Sequence, residues 1–236
     1  MKTFLKRTLR ALGYELRRIP GRVTAAESPA LPAGTADFEL AAREAAGIPS
    51  MLSRQTAFFL YALCYLQELP GDVVEVGSWQ GYSTSFLASA VRDSGNGVLH
   101  AIDHFRGNVG KERHYVVGRP DLTDLRVGFQ RNLRERQLWS YVRLLDMPNE
   151  EAAQHLQGIR VRLLFIDGDH TEAGVERDIR FFFPLVRAGG IVVFDDYSPQ
   201  CPGLMRAVTR MVEAHKPERV AYFDNTLVLR KRGSEG

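Results

Sequence analysis

A chain of 236 residues that is 44% hydrophobic can bury one substantial core, and a formal charge of +3 is too small to define a nucleic-acid-binding surface. That charge is also uneven: residues 1–22 hold seven Lys and Arg against Glu15 alone, so the rest of the chain carries about −3, which argues against nucleic acid as a partner. Cys64 and Cys201 stand in no metal-ligand or redox spacing, no apolar run is long enough to span a bilayer, and no cleavable leader pattern follows Met1; together these predict a cytoplasmic, reduced protein.

In residues 1–22, Leu5, Leu9, Leu12, Leu16 and Ile19 fall on one helical face, with Lys6, Arg7, Arg10, Arg17 and Arg18 on another. A basic amphipathic helix of this kind suits peripheral contact with the anionic inner face of a membrane, or packing on its own domain or on a second subunit of a homo-oligomer. Residues 23–52 form a linker or flap: 23–36 are rich in Ala, Pro, Ser and Gly, and a short helix over 37–46 is ended by Gly47 and Pro49. Residues 53–236 read as the main domain.

That domain opens with a helix over 53–69, apolar at Phe58, Phe59, Ala62, Leu63 and Leu66, in which Cys64 is a buried structural thiol; Pro70-Gly71 then breaks the chain. Strands follow at 73–76, 99–102, 142–145, 163–166 and 191–194, with helices from 83, over 125–137, over 171–183 and over 203–215. Residues 220–223 and 226–229, on either side of Asp224-Asn225, pair as a terminal antiparallel hairpin. Such alternation predicts an α/β, Rossmann-like, doubly wound fold with a mostly parallel seven-stranded sheet and a terminal antiparallel strand.

Two of the strands end in acidic residues, in Leu163-Leu-Phe-Ile-Asp167-Gly-Asp169-His170 and Gly189-Gly-Ile-Val-Val-Phe-Asp195-Asp196-Tyr197. Asp also favours turns and helix N-caps, but two neighbouring strands ending this way point to a site, because ligands of open α/β sheets collect beyond the carboxyl ends of the strands. At the first strand, Val74-Glu75-Val76-Gly77-Ser78-Trp79-Gln80-Gly81-Tyr82-Ser83-Thr84 leads into a helix through a turn whose glycines let the backbone approach a ligand. The turn lacks the G-x-G-x-x-G of a dinucleotide site, which weakens a nicotinamide reading. Asp103, at the end of the second strand, is placed to accept bonds from ribose hydroxyls; His104 is close enough to face the same cleft, and Asp146 suits either accepting from an adenine amino group or a capping or solvated role.

Taken together, these motifs resemble class I S-adenosylmethionine-dependent methyltransferases, more narrowly the methyltransferase 24 family and the metal-dependent sugar O-methyltransferases of macrolide biosynthesis, over residues 53–229. Trp79 replaces the middle glycine of the broader family turn. The resemblance implies S-adenosylmethionine held by Glu75, Gly77, Ser78, Gly81, Ser83, Thr84, Asp103, His104, Asp146 and Asp167. It also implies a metal held by Asp167, Asp195 and Asp196, whose all-oxygen donors suit Mg²⁺, with His170 and Asp167 as catalytic residues and His170 as the base. A loop histidine also serves to cap a following helix, and Asp169 suits either that role or a bond to substrate. The expected acceptor is a small molecule or glycan; the basic, aromatic loop over 105–120 (Arg106, Lys111, Arg113, His114, Tyr115) suits either a lid over that acceptor or a plain solvated loop. Alternatives are a metal-independent small-molecule methyltransferase, a nicotinamide-dependent oxidoreductase, and a noncatalytic membrane-recruitment subunit.

Overall fold

The computed structural model describes residues 35–106 and 125–233; the basic segment 1–22, the linker up to residue 34 and most of the expected lid lie outside the described residues. Two helices come first, α1 (Phe38–Glu44) and α2 (Arg54–Leu66). Asp37 and Ser53 cap them, their side chains accepting from the Leu40 and Thr56 amides. Then come β1 (Asp72–Val76), α3 (Tyr82–Ser94), β2 (Leu99–Ile102), α4 (Leu125–Glu135), β3 (Val142–Leu145), α5 (Asn149–His155) and β4 (Val161–Ile166). The chain closes with α6 (Glu172–Phe182), β5 (Val186–Phe194), α7 (Pro202–His215), β6 (Glu218–Phe223) and β7 (Thr226–Arg230).

The seven strands lie in the order β3-β2-β1-β4-β5-β7-β6, parallel from β3 to β5, with β7 antiparallel to both of its neighbours. The expected doubly wound sheet is therefore present. Strand residues alternate between two cores because successive side chains point to opposite faces. Val73, Leu163, Phe165 and Val193 pack towards α2, α3 and α4, while Val74, Val76, Leu164 and Ile166 pack towards α5, α6 and α7. With β2 on one side of β1 and β4 on the other, the sheet reverses its winding between β1 and β4, which opens a crevice at their carboxyl ends. The end of β1 carries Glu75 and Gly77, the end of β4 carries Asp167, and the end of the neighbouring β5 carries Asp195 and Asp196.

The hairpin is as read: Asp224 and Asn225 both have positive φ, 49° and 60°, which the two-residue type I′ turn requires. Three differences have physical causes. Helix α5 falls in a stretch read as a plain connection between strands; at seven residues, with Ala152 as its buried member, it is too short to show periodicity. Strand β5 starts at Val186 instead of 191, passing through Gly189-Gly190, where Gly189 donates to Lys231 O at 2.7 Å and Gly190 O accepts from Lys231 at 2.9 Å. Strand β4 starts at Val161 instead of 163 and carries Arg162 fully buried. Among the described residues no helix is long and apolar enough to cross a membrane.

Candidate active site

The site is built on one backbone contact. Gly77 has φ 88°, and a Cβ there would lie 2.2 Å from the carbonyl oxygen of Asp167, so only glycine lets the turn after β1 close on the turn after β4. Gly77 donates to Ile102 O at 2.9 Å and Asp167 donates to Val76 O at 2.9 Å, which seats both turns on the sheet. Gly81, at φ 87°, is the N-cap of α3. Across the turn, Asn132 donates to Gln80 O at 2.9 Å.

Asp103 organises this loop. Its Oδ2 accepts from the Ser78 and Trp79 amides at 3.0 and 2.8 Å, and its Oδ1 accepts from Phe105 N at 2.6 Å. A carboxylate has about four acceptor positions, so the residue expected to take ribose hydroxyls spends most of its capacity on backbone. Trp79, where the broader family turn has glycine, takes φ 42° and is held by that bond.

Glu75 lies on the β1 face turned towards α3 and is fully buried. Its Oε2 accepts from Thr84 Oγ1 at 2.6 Å and Ser78 Oγ at 3.1 Å, whereas its Oε1 is buried with no hydrogen-bond partner among the described residues. Burial pushes its carboxyl up to about 7, against the Ser83, Thr84 and Ser78 hydroxyls, with the nearby Asp167 adding to the rise. A buried carboxylate oxygen lacking a donor is costly in isolation and fits a ligand that brings one, such as an ammonium group. His104 accepts from Arg106 N at 3.0 Å, and Asp146 pairs with Arg126 at 2.9 Å in a half-exposed setting.

The acidic residues gather beside the same contact. His170, with a side chain only 9% exposed, places Nε2 3.4 Å from Asp167 Oδ1 and Nδ1 3.4 Å from Asp196 Oδ2. Asp196 adopts φ 52° as the chain leaves β5. Burial raises the Asp167 carboxyl, with Asp196 adding to the rise and His170 opposing it. Asp195 is pushed up to about 7, chiefly by burial and then by the negative charge of Asp167. Carboxylates that resist joint ionisation are the electrostatic setting a dication relieves.

Asp169 turns away from this group: it accepts from Thr171 N and Thr171 Oγ1, both at 2.9 Å, and serves the start of α6. Two residues at the site carried no sequence signal. Thr226, fully buried, donates to Asp195 Oδ1 at 2.6 Å, and Cys201 stands with His170 and Asp196 so that their donor atoms lie within 4.8 Å of one another. Among the described residues this His-Asp-Cys group is the tight donor cluster; Asp167 and Asp195 adjoin it without belonging to it. A lone cysteine five positions after Asp196 matches no ligand spacing, and only the return of the chain into α7 brings it back.

A sheet of this order, with a glycine turn and acidic strand ends meeting at its switch point, defines a Rossmann-like α/β fold of the methyltransferase type. The model of a methyltransferase domain, that of the methyltransferase 24 family, matches residues 74–197, and the chain belongs to this family. Among solved structures it is similar to the O-methyltransferase NovP, with TM-score 0.62 and 19% identity over 78% of this chain and 82% of that one. It is also similar to the O-methyltransferase TomG from Streptomyces achromogenes, solved with SAM, with TM-score 0.58 and 16% identity over 84% and 92% of the two chains. A curated relative from Streptomyces olivaceus, 8-demethyl-8-(2,3-dimethoxy-alpha-L-rhamnosyl)-tetracenomycin-C 4'-O-methyltransferase, is 28% identical over 146 residues, 55% of this chain and 54% of that protein. An uncharacterised protein of Acanthamoeba polyphaga mimivirus is 41% identical over 54 residues, 22% of this chain. The chain thus spans about half the length of the first of these relatives and 24% of the second.

Proposed function

We propose that the chain transfers a methyl group from S-adenosylmethionine to a hydroxyl of a small molecule, specifically a sugar hydroxyl of a glycoside, polysaccharide precursor or natural product, with Mg²⁺ assistance. The observation that carries this reading is the unpartnered Glu75 Oε1 beneath the Gly77–Gly81 turn, packed through the Gly77 contact against the Asp167-His170-Asp195-Asp196 group. The first half suits the ammonium of the donor's methionine moiety and the second suits a hydroxyl that must lose a proton. The sugar assignment draws on the Streptomyces olivaceus relative, whose name describes methylation on a rhamnosyl-bearing compound.

Methyl transfer from a sulfonium is an in-line displacement, so the protein's main task is alignment. Glu75 and the backbone of the glycine turn hold one reactant, and Asp103 keeps that turn in shape. His170, between Asp167 and Asp196, accepts the proton of the acceptor hydroxyl, and the flanking carboxylates stabilise the resulting imidazolium. Asp167, Asp195 and Asp196 would hold Mg²⁺, which when bound lowers the hydroxyl's pKa and orients it. Thr226 fixes Asp195 for that purpose. The proposed setting is the cytoplasm, with residues 1–22 contacting the inner membrane face, their own domain or a second subunit.

Calorimetric titration with S-adenosylmethionine tests the reading. Below pH 7 the empty site holds Glu75 neutral, and an arriving ammonium favours the ionised form, so binding releases a proton. Affinity should therefore fall by about ten-fold per pH unit as pH drops below 7, and level off above it. NAD should not bind. Absence of saturable S-adenosylmethionine binding overturns the proposal; binding with a flat pH profile overturns the role of Glu75. A second expectation concerns the metal: Asp195→Ala should reduce turnover with Mg²⁺ to the metal-free rate while S-adenosylmethionine affinity stays within a few-fold. Unchanged metal stimulation would remove Asp195 from the ligand set.

A further inference from the structure

The His170, Asp196 and Cys201 cluster differs in chemistry from the three carboxylates assigned to Mg²⁺. Its donor atoms lie within 4.8 Å of one another and combine an imidazole, a carboxylate and a thiol. Hard oxygen sets favour Mg²⁺, whereas sulfur and nitrogen donors favour Zn²⁺ and related borderline-soft dications. Cys201 sits at the N-cap of α7, a position that favours Ser, Thr, Asp or Asn, and its side chain makes no capping bond there. Half-buried, Cys201 also packs on the apolar core beneath α7, which holds it beside His170 and Asp196. The other cysteine, Cys64, is fully buried against Arg162.

We propose that His170, Asp196 and Cys201 form a second, competing metal site that takes a thiophilic dication such as Zn²⁺ and thereby switches the enzyme off. On binding, the Cys201 S–H bond breaks, its proton passes to solvent, and a sulfur–metal bond forms with no change in oxidation state. The same event engages a nitrogen of His170, so the imidazole no longer accepts the acceptor's proton, and it draws Asp196 away from the Mg²⁺ set. The inhibitory consequence rests on the methyltransfer reading above; the existence of the site does not.

Cobalt(II) is the probe, added to the full chain without donor or acceptor. The expected result is one equivalent bound, with a thiolate-to-cobalt charge-transfer absorption that Zn²⁺ displaces near stoichiometry and Mg²⁺ displaces only in large excess. The band should vanish in both Cys201→Ser and Cys201→Ala, each checked for folding by circular dichroism, so that either variant alone suffices. Absence of the band in the wild-type chain, or its persistence in a folded variant, overturns the site whether or not the protein binds S-adenosylmethionine. In methyl-transfer assays the Zn²⁺ concentration giving half inhibition should rise by at least about ten-fold in Cys201→Ser, since losing a direct donor costs no less than losing an outer partner. Equal inhibition of both proteins would overturn the switch.

Discussion

Replacing His170 by alanine is expected to lower kcat for methyl transfer by about two to four orders of magnitude, the usual contribution of a positioned general base. The imidazole is nearly enclosed and bridges Asp167 and Asp196 at 3.4 Å on each side. No water placed by chance reproduces that bridge, and an alcohol's proton leaves too reluctantly for solvent to take it efficiently. The donor half of the site is held by other residues, Glu75 and the turn organised by Asp103, so S-adenosylmethionine affinity should change by no more than a few-fold. Calorimetry alongside single-turnover rates separates the two quantities. Added imidazole should restore part of the lost rate by occupying the space the side chain leaves. If donor affinity falls as far as the rate and imidazole restores nothing, His170 is a brace for the two carboxylates and the base lies elsewhere.

The parts of this arrangement that were legible in the sequence are those written as local contrast. The runs 163–166 and 191–194 end abruptly in Asp, and Asp224-Asn225 between two apolar stretches marks a hairpin, because each signal lies within a few consecutive residues. Gly77 was readable as a special backbone position, although its reason, the carbonyl of Asp167 behind it, is a contact between residues 90 positions apart. Thr226 was legible only as the start of a strand, since the bond to Asp195 exists because β7 lies antiparallel beside β5. Cys201 was set aside on spacing, and three-dimensional proximity alone returns it to His170 and Asp196. Arg162 falls outside the apolar run 163–166 that marks its strand. In each case the missing information is a partner distant in sequence, which composition and periodicity do not encode.

Arg162→Met is expected to lower the melting temperature by roughly 6–20 °C, which corresponds to a loss of about 3–5 kcal/mol in a domain of this size. Arg162 is fully buried, and among the described residues its guanidinium donates to backbone carbonyls and to Cys64 Sγ. It is the extra residue of a bulge, because Asp72–Val73 on β1 faces Val161 and Leu163 on β4, and the bulge turns the side chain towards the end of α2. There Nε donates to Gly71 O at 3.0 Å, Nη1 donates to Cys64 O and to Gln67 O at 3.4 Å, and Nη2 donates to Asn96 O at 2.9 Å. Cys64 and Gln67 belong to the carbonyl end of α2, so the helix dipole balances the charge in place of an acid. Methionine fills comparable volume but takes the donor from the buried Cys64 carbonyl and from the partly buried carbonyls of Gly71, Gln67 and Asn96, of which Gln67 keeps a bond from Asn96 Nδ2; a buried carbonyl left unpaired costs about 1–3 kcal/mol before the structure relaxes. Arg162→Lys should fall between the two, since an ammonium keeps the charge and lacks the planar fork that reaches carbonyls on three sides. Thermal and urea unfolding of the three proteins measure this directly. A methionine variant melting within about 2 °C of the native chain would show that the carbonyls find other donors. Below its melting transition the variant should still bind S-adenosylmethionine, because Arg162 secures the start of β1 and the site is built on its far end.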